Sequence, residues 1–413
     1  MFANFLKKEH VNMEKLFTKL DELYDEIVSI RRYLHENPEL SFKEVETPKY
    51  IAEYHKKLGH EVRTGVGGRG VVAVLKGAKP GKTVGLRADF DALPIQEEND
   101  VAYKSKVPGV MHACGHDGHT AALLGLAKAL NAMKDELEGN VVFIHQHAEE
   151  VLPGGAIAMV EDGCLDGVDV IYGTHLAAVA PLGYIGIRAG AAMAASDFFE
   201  IIVEGKGGHG ANPHLSRDAI VTGSQLVMNL QQIVSRRVDP LSPAVVTVGS
   251  FDAKNAPNVI ADKVVLQGTV RTFDENVRNF IEKEIEEVAK SVCHGAGSTY
   301  KYTYTRGYPA VVNHKEDTDF IVAQAKSVPG VVKVVEEQPH MGGEDFAYYL
   351  QQVKGAFFFT GAELAERGVT YPHHHPKFDF DEKALLIAAK TLGSATVTYL
   401  QEASSSENEA TLA

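Results

Sequence analysis

The sequence predicts an α/β protein: a mostly parallel sheet with helices on both faces, interrupted by an inserted second domain. Three observations support this prediction. Short runs rich in Val and Ile alternate with helical stretches, as in parallel sheets that are buried on both faces. The order of elements changes near residue 188 and returns to the first pattern after residue 307. The length of 413 residues also exceeds what a single hydrophobic core usually holds.

Residues 1–187 alternate between helices and buried strands. Apolar residues at helical spacing predict the helices, and Pro38 and Pro48 mark the link between the first two. Continuous apolar runs bounded by turn residues predict the strands. In order, we predict helices over 14–36 and 43–58, strands over 70–77 and 82–91, a helix over 119–137, a strand over 140–150, a helix over 154–163 and a strand over 168–175.

Residues 188–307 follow a different order. The strictly alternating "TYKYTYTR" predicts a half-exposed strand, unlike the strands before it. We predict strands over 198–205, 244–251, 262–273 and 299–306, and helices over 216–238 and 275–295. This β-α-β-β-α-β order is the ferredoxin-like pattern. It predicts that the block is a domain inserted into the first one.

Residues 308–402 return to the first pattern, with a helix over 316–327, a strand over 355–361 and a helix over 381–401. The polar tail 403–413 is predicted to be disordered. We therefore divide the chain into the first part of the main domain (1–187), the inserted domain (188–307), the second part of the main domain (308–402) and the tail.

The composition excludes several classes of partner. A net charge of −14 argues against nucleic acid and anionic membranes. No apolar run approaches the roughly 20 residues of a membrane helix, and the N-terminus lacks the apolar core of a secretory signal. Three cysteines, Cys114, Cys164 and Cys293, do not form a disulfide framework. We therefore expect a cytoplasmic protein.

Polar residues follow the predicted strands at the edge where open α/β sheets bind ligands. Asp89 and Asp91 come at the end of one strand, Glu149 and Glu150 at the end of the next, and His175 at the end of a third. The loop "HACGHD" before the helix over 119–137 adds Cys114 and His116. Thiolate and imidazole suit zinc or a neighbouring transition metal, so the sequence predicts a metal site at this edge.

Each of these signals also has a plainer explanation. Cys114 and His116 could be a buried thiol and a solvent-facing imidazole, and His175 could be a core histidine. Glu149 and Glu150 could be a solvated strand end, although adjacent acids repel unless a cation or proton intervenes. The "HHHP" at 373–376 could be a surface tract. Asp117 could accept a hydrogen bond from His116 or cap the next helix.

The motifs together resemble one known family. "LRADFDALPI", "HACGHDGHTA", "HAEE", "GTH", "GKGGHGANPH" and "HHHPKFDFDE" are similar to successive motifs of the aminoacylase–carboxypeptidase family of dinuclear metallohydrolases. Within it, the chain most resembles the amidohydrolase branch, which includes hippurate hydrolases, auxin-conjugate hydrolases, N-acyl-amino-acid amidohydrolases and N-acetyldiaminopimelate deacetylase. The resemblance covers residues from Arg31 to Glu402. It implies a catalytic α/β domain interrupted by a lid or dimerisation domain.

The resemblance also implies a role for individual residues. It implies two divalent metal ions per subunit (Zn, Mn, Co or Ni), and its five metal ligands are Cys114, His116, Glu150, His175 and His374. Glu149 is implied as the general base. His209, Asn258 and Arg271 resemble lid residues that contact the scissile carbonyl and the substrate carboxylate. Asp91 and Asp117 are implied as acids that support the ligands. This chain has "ADFD" where relatives have the His-x-Asp metal motif, which leaves the roles of Asp89 and Asp91 open. The roles of His112 and His119 are open as well.

These roles predict hydrolysis of the amide bond of N-acyl-amino acids by a metal-activated water. A metallo-carboxypeptidase or dipeptidase acting on short peptides is the nearest alternative. A cysteine hydrolase with Cys114 as nucleophile and a protein with a purely structural metal site are two more distant ones. The "QPHMGGEDFAYYL" loop could meet a substrate amine or cap a helix. We also expect a homodimer that forms through the inserted domain, because that sheet has an exposed edge.

Overall fold

The computed structural model describes residues 13–412, with side chains up to Ser404. Residues 1–12, in which we predict no secretory signal, and residue 413 lie outside this range. The described chain forms two compact units. The first contains the residues up to Gly190, Val312–Gln338 and the residues from Asp345 onward, and the second contains Ala191–Val311 and Pro339–Glu344. The predicted division placed the inserted domain at 188–307.

The helices and strands are numbered in chain order. The helices are α1 (Met13–Glu22), α2 (Tyr24–Glu36), α3 (Glu46–Lys57), α4 (His116–Asn131), α5 (Gly155–Glu161), α6 (Ala219–Gln232), α7 (Glu275–Gly295), α8 (Lys315–Ala325), α9 (Ala347–Leu350) and α10 (Lys383–Leu412). The strands are β1 (Glu61–Val66), β2 (Gly70–Lys76), β3 (Lys79–Asp89), β4 (Glu138–Gln146), β5 (Val170–Ala177), β6 (Tyr184–Ile187), β7 (Gly190–Met193), β8 (Ala195–Glu204), β9 (Gly208–His209), β10 (Ala244–Asp252), β11 (Val259–Ile260), β12 (Lys263–Thr272), β13 (Thr299–Thr305), β14 (Val311–Asn313), β15 (Lys333–Glu336) and β16 (Lys354–Gly361).

The first unit is built on an eight-stranded sheet with the order β1-β2-β4-β3-β5-β16-β6-β15. Only the four central strands, β4, β3, β5 and β16, form a continuous parallel block. The strands on either side of this block pair with it in the antiparallel direction. The sheet is therefore mixed, whereas the sequence predicted a mostly parallel one. The difference lies in strand direction, which the apolar pattern does not encode: the predicted strand β2 pairs antiparallel with β4, and the short β6, which gave no strand signal, pairs antiparallel with β16.

Helices cover both faces of this sheet. On β5, the Tyr172 hydroxyl donates to Asp317 of α8 at 3.3 Å. The next residue, Gly173, faces the other way, where a Cβ would lie 2.7 Å from the ring of Phe346 just before α9. Because neighbouring residues of a strand point to opposite faces, α8 and α9 lie on opposite sides. The apolar core runs continuously through this unit and includes Leu86, Leu123 and Phe358.

Several helix boundaries differ from the predicted ones for reasons of packing. The predicted helix over 14–36 is two helices that break at Leu23, because α1 packs on α10 while α2 packs on α4. The predicted helix over 119–137 begins three residues earlier and ends at Asn131. Residues 403–412, predicted to be a disordered tail, continue α10. Extending an existing helix avoids the cost of nucleation, and Glu and Ala in the tail favour helix.

The second unit has a four-stranded sheet with the order β10-β12-β8-β13, in which all neighbours are antiparallel. Along the chain the elements run β8, α6, β10, β12, α7 and β13. Both helices pack on this sheet and enclose a separate apolar core that includes Ile201, Leu226 and Ile285. Strand β10 lies at one edge of the sheet. Among the helices of residues 13–412, none has both the length and the apolar character that crossing a bilayer requires.

Candidate metal centre

The four parallel strands of the first unit all deliver polar residues to one edge of the sheet. β3 ends at Asp89, with Asp91 two residues on, and β4 is followed by Glu149 and Glu150. β5 carries His175, and the loop after β16 carries His374. Because parallel strands end on the same side, these residues from distant parts of the sequence are brought to one place.

The loop before α4 supplies the remaining two candidate ligands. Gly115 separates Cys114 from His116 and has a φ of 98°, a left-handed conformation that glycine adopts without steric cost. This turn ends the loop, and α4 starts at His116. Its first turn is wholly buried, so both Cys114 and His116 lie inside the protein rather than on its surface.

The structure brings the five predicted ligands together. Cys114 Sγ lies 3.4 Å from His175 Nε2, and the ligand atoms of Cys114, His116 and Glu150 all lie within 4.8 Å of one another. His374 Nε2 lies 3.1 Å from Glu150 Oε1. The backbone of His374 has a φ of 65°, and its N–H donates to the Ala113 carbonyl at 2.7 Å, which ties the loop to the Cys114 segment.

The hydrogen bonds of two of these histidines leave Nε2 available for a cation. His116 Nδ1 contacts Asp91 at 3.1 Å, while its Nε2 is buried and has no hydrogen-bond partner among the described residues. His175 Nδ1 donates to the Leu176 carbonyl at 2.8 Å, and its Nε2 faces the Cys114 sulfur. An acceptor on one ring nitrogen with the other free is the usual arrangement of a metal-bound histidine.

The electrostatics of this cluster favour a cation. Burial lowers the pKa of His116, but the surrounding carboxylates, Asp89 first among them, outweigh burial and raise it to about 10. Burial raises the pKa of the Cys114 thiol well above its usual value, and the charges of Glu150 and Glu149 raise it further. A bound divalent cation would balance this negative potential and favour the thiolate. Sulfur, imidazole and carboxylate donors therefore fit a borderline transition metal.

Two further histidines adjoin the centre, but both of their ring nitrogens are engaged. His119 Nδ1 lies 2.6 Å from Asp89 Oδ1, and His119 Nε2 accepts the Leu176 N–H at 2.9 Å. His373 Nδ1 donates to the Cys114 carbonyl at 3.2 Å, and its Nε2 accepts the Ala178 N–H at 3.3 Å. These contacts separate the two from the candidate ligands, although they lie close enough to be grouped with them.

Of the two acids that were predicted to support the ligands, Asp91 contacts them and Asp117 does not. Asp91 contacts His116 and also accepts the Glu150 N–H at 3.1 Å, so it touches two candidate ligands. Asp117 neither contacts His116 nor caps α4; it accepts hydrogen bonds from Arg31 Nε at 3.0 Å and from His35 Nδ1 at 2.8 Å. Consecutive helix residues point about 100° apart, which turns Asp117 toward α2 and away from the centre.

Sequence reasoning missed Arg31 as the residue that holds this layer together. Its guanidinium is fully buried and pairs with Asp117, Asp379 and Glu382. These charges raise the pKa of Arg31 in spite of its burial. Replacing Arg31 alone would leave buried carboxylates without their partner, a change that typically costs about 3–5 kcal/mol. Nothing in the local sequence around Arg31 signals partners so far along the chain.

Glu149 lies in the loop that follows β4 and is 7% exposed. The preceding Ala148 has a φ of 51°, and its N–H donates to the buried carboxyl of Glu44 at 3.0 Å. Burial raises the pKa of Glu44 to about 7. Glu44 thus fixes the backbone that carries both Glu149 and Glu150, another role that the sequence did not suggest.

The three residues predicted from the lid motifs lie in the second unit, at two separate places. His209 is exposed, and its strand β9 pairs with β11, where the Asn258 carbonyl accepts the Gly210 N–H at 2.8 Å. Arg271 lies near the far end of β12, opposite Ser196. Eight residues of strand, about 26 Å, separate Arg271 from Lys263 at the start of β12. The structure therefore groups His209 with Asn258 and sets Arg271 apart.

His112 remains without an assigned partner. It is fully buried, and neither ring nitrogen has a hydrogen bond within the described side chains. Burial lowers the pKa of His112 to about 4, so the ring is neutral at pH 7. We have no physical account of its role.

Comparison with known proteins reveals extensive similarity. Residues 85–397 match the model of Peptidase family M20/M25/M40. The chain is 60% identical over 383 residues to "Putative amidohydrolase YhaA" of Bacillus subtilis (strain 168), covering 93% of this chain and 97% of that protein. It is 48% identical over 303 residues to "N-acyl-L-amino acid amidohydrolase" of Geobacillus stearothermophilus, covering 73% of this chain and 82% of that protein. It is 43% identical over 380 residues to "Thermostable carboxypeptidase 2" of Saccharolobus solfataricus, covering 91% of this chain and 96% of that protein.

A solved structure extends the similarity to the fold. The structure described as the Bacillus subtilis YXEP protein, a dinuclear metal binding peptidase from M20 family, superposes with a TM-score of 0.80. It is 35% identical in sequence and covers 92% of this chain and 99% of its own.

Proposed function

The chain belongs to Peptidase family M20/M25/M40, and from that membership we propose that it hydrolyses the amide bond of N-acyl-amino acids. It is a hydrolase that acts on C–N bonds, and the prediction of an amidohydrolase is confirmed by its relatives. The observation that carries the proposal is the convergence of Cys114, His116 and Glu150 within 4.8 Å, with Glu149 next in the chain.

Two divalent metal ions are the cofactor, in keeping with the dinuclear solved relative. In our proposal the five candidate ligands, Cys114, His116, Glu150, His175 and His374, would hold them. When bound, such ions can lower the pKa of a water molecule to about 7 and polarise a substrate carbonyl. The identity of the metal is a proposal within the set Zn, Mn, Co and Ni, and the mixed sulfur, nitrogen and oxygen donors support it.

Glu149 is the proposed general base. It would take a proton from the water that attacks the carbonyl carbon, and return it to the nitrogen as the C–N bond breaks. The acyl group then leaves as a carboxylic acid and the amino acid leaves with a free amine, so atoms and protons balance. A positioned acid–base group of this kind is typically worth roughly 10²–10⁴-fold in rate. The burial of Glu149 keeps bulk water from competing for the proton.

We assign the second unit the role of a ferredoxin-like lid. Its strand order and two helices support this assignment. His209 and Asn258 are proposed to contact the scissile carbonyl from one place, and Arg271 the substrate carboxylate from another. A lid residue acts on the substrate and not on the metal. His209→Ala should therefore lower kcat and leave the metal content unchanged, and loss of metal in this variant would contradict the assignment.

We assign the second unit a dimerisation role as well. Helix α6 and the edge strand β10 expose large apolar side chains, including Met228, Val221 and Phe251. A groove of about 490 Å³ lies between them, lined in part by Val227 and Val248. Exposed apolar patches next to an unpaired strand edge are typical of protein interfaces. A homodimer would cover both.

The cytoplasm is the proposed location. The support for it is that Cys114, Cys164 and Cys293 are all buried free thiols, as is usual for proteins of a reducing compartment.

The second candidate function is a metallo-carboxypeptidase or dipeptidase, which the similarity to a thermostable carboxypeptidase favours. A cysteine hydrolase fits less well, because a nucleophilic thiol needs a lowered pKa and that of Cys114 is raised. The two metallohydrolase candidates share their catalytic groups and differ in substrate.

One substrate panel separates these functions. Metal-stripped and reconstituted enzyme is assayed on N-acetyl-amino acids, N-benzoyl-amino acids and dipeptides. We expect the highest kcat/KM on an N-acyl-amino acid, and activity only after metal is restored. Higher kcat/KM on dipeptides would favour the peptidase, and full activity of the stripped enzyme would contradict metal-dependent hydrolysis.

A further inference from the structure

His119 lies against the proposed metal ligands, yet its hydrogen bonds give it a different task. Its Nε2 accepts the Leu176 N–H at 2.9 Å. A backbone N–H can only donate, so Nε2 must present its lone pair to Leu176. The ring proton is therefore on Nδ1, which donates to Asp89 Oδ1 at 2.6 Å. Both nitrogens are in use, and neither remains to bind a metal.

Asp89 is itself held in place. Its other oxygen pairs with Arg87 Nη1 at 2.7 Å, and both side chains are buried. The Thr120 hydroxyl donates to the Asp89 carbonyl at 2.7 Å, which ties the start of α4 to the end of β3. His119 is therefore anchored at Nδ1 by a fixed carboxylate, and its Nε2 has a defined position in front of β5.

His119 and His175 contact the backbone of the same residue, Leu176, on successive peptide groups. The Leu176 N–H donates to His119 Nε2, and the Leu176 carbonyl accepts the His175 Nδ1–H at 2.8 Å. The two rings lie 4.6 Å apart between centroids and are nearly perpendicular. With Nδ1 committed to this carbonyl, His175 directs Nε2 toward the Cys114 sulfur, 3.4 Å away.

We propose that His119 is a positioning residue: it holds the peptide that links His175 to Leu176, and so keeps the His175 backbone and the Leu176 carbonyl in the places from which His175 presents Nε2 to the metal centre. This inference rests on the proposed function only in taking His175 as a metal ligand. Loss of such a supporting hydrogen bond typically lowers metal affinity 10–100-fold.

Two substitutions separate this role from its alternatives. In His119→Gln the side-chain oxygen can occupy the place of Nε2 and still accept the Leu176 N–H, but the contact with Asp89 is lost. In His119→Asn the amide can still donate to Asp89, but it does not reach Leu176. The two variants both remove the imidazole and differ in which contact they keep.

The measurement is the Zn²⁺ affinity of the stripped full-length enzyme, obtained by competition with a chelator, together with the absorption spectrum of the Co²⁺ form. We expect His119→Asn to lower Zn²⁺ affinity 10–100-fold and to change the Co²⁺ spectrum, and His119→Gln to stay close to wild type. Thr391→Val is the control, because it removes a buried hydroxyl hydrogen bond within α10 without touching Asp89, His119 or Leu176. Its Zn²⁺ affinity should remain that of the wild type.

Two results would overturn the proposal. If both His119 variants lose metal to the same extent as His175→Ala, His119 is a ligand. If both lower the thermal midpoint but bind Zn²⁺ as the wild type does, His119 supports the fold and not the metal. Because metal binding is measured without substrate, failure to cleave N-acyl-amino acids leaves this test unaffected.

Discussion

At the scale of single residues, the partners of each ring nitrogen decide what a histidine at the metal centre can do. His116 and His175 each commit Nδ1 to an oxygen and keep Nε2 for the centre. His119 and His373 use both nitrogens in contacts with the backbone or a carboxylate. The same side chain can thus be a candidate ligand in one place and a hydrogen-bonded support in another. Spacing in the sequence does not distinguish the two.

Removing the charge of Glu149 should lower turnover, whereas removing the charge of the adjacent Glu150 should lower metal content. Glu149→Gln keeps the shape of the side chain but cannot take a proton, so kcat should fall roughly 10²–10⁴-fold with metal content unchanged. Glu150→Gln, the matched control, should lose metal. Turnover and elemental analysis of both variants check this. Normal turnover in Glu149→Gln would reject its role as general base.

The thiol of Cys114 should be needed for metal retention. Cys114→Ala removes a soft ligand from the middle of the cluster, so both metal content and kcat should fall. Cys164→Ala replaces another buried thiol, which lies outside the cluster, and this variant should keep its metal. Elemental analysis of the purified variants is the measurement. Unchanged metal stoichiometry in Cys114→Ala would contradict the proposed ligand set.

At the scale of elements, the parallel block explains why residues far apart in sequence form one site. β3, β4, β5 and β16 each end at the same edge and each lead into a segment that carries a candidate ligand or a supporting acid. The rigid strands fix the position of each segment, and the loops only need to turn the side chains inward. Elements on the other side of this block serve stability instead.

One such group is a row of three buried histidines between α3 and β4. His55 Nδ1 lies 2.9 Å from His60 Nδ1, and His55 Nε2 lies 2.9 Å from His145 Nε2. His55 uses a different nitrogen toward each neighbour, so the three do not converge on a single point as metal ligands would. Burial lowers the pKa of all three, to about 2 for His55, about 4 for His60 and about 3 for His145.

These histidines should make the protein less stable in acid. Their folded-state pKa values lie below about 6.5, the value expected in the unfolded chain, so below pH 6.5 the unfolded state binds more protons. The free energy of unfolding is therefore not reduced by these histidines above pH 6.5, and it decreases as the pH drops toward their folded-state pKa values. At pH 5 the cost is about 2 kcal/mol for each histidine, relative to pH 8.

Denaturant unfolding of the metal-free protein at pH 8 and pH 5 checks this prediction. His55→Gln removes one of the three titrating groups, so its loss of stability between the two pH values should be smaller than that of the wild type. His294→Gln, which replaces an exposed histidine of α7, should show the wild-type difference. Equal pH dependence of wild type and His55→Gln would contradict the role of the cluster.

At the scale of the whole molecule, the chain divides its tasks between two units. The first holds the five predicted metal ligands, and the second exposes an apolar face on α6 and β10. Met228 alone is 69% exposed. In the proposed homodimer, a second copy of the same chain would cover this apolar surface through a two-fold interface.

A charge on this face should prevent dimerisation. Met228→Glu would place a carboxylate in an apolar interface, where it would lack a partner, so the variant should sediment as a monomer while the wild type sediments as a dimer. Val332→Glu, at an exposed apolar residue of the first unit, is the control and should remain dimeric. Sedimentation velocity at several concentrations provides the test. A wild type that is monomeric throughout would refute the dimer.

The sequence by itself determined the α/β class and the family, and it predicted the place of the interruption and the candidate site residues. These depend on local signals: the period of apolar residues, the turn residues that end a strand, and acids, thiols and imidazoles that follow it. Glu149, Glu150 and His175 could be found in this way because strand ends are local features and parallel strands share an edge.

Only the tertiary structure decided which neighbours these residues have. Asp117 was expected to contact His116, the residue beside it, but it pairs with Arg31, 86 positions away. The short strand β6 pairs antiparallel with β16 at one edge of the parallel block, as β2 does with β4 at the other, and these pairings make the sheet mixed. The sequence left the role of His119 open, and in the structure Leu176 and Asp89 engage both of its ring nitrogens. Hydrogen bonds between distant segments depend on side-chain direction, which the sequence does not specify until the whole chain has folded.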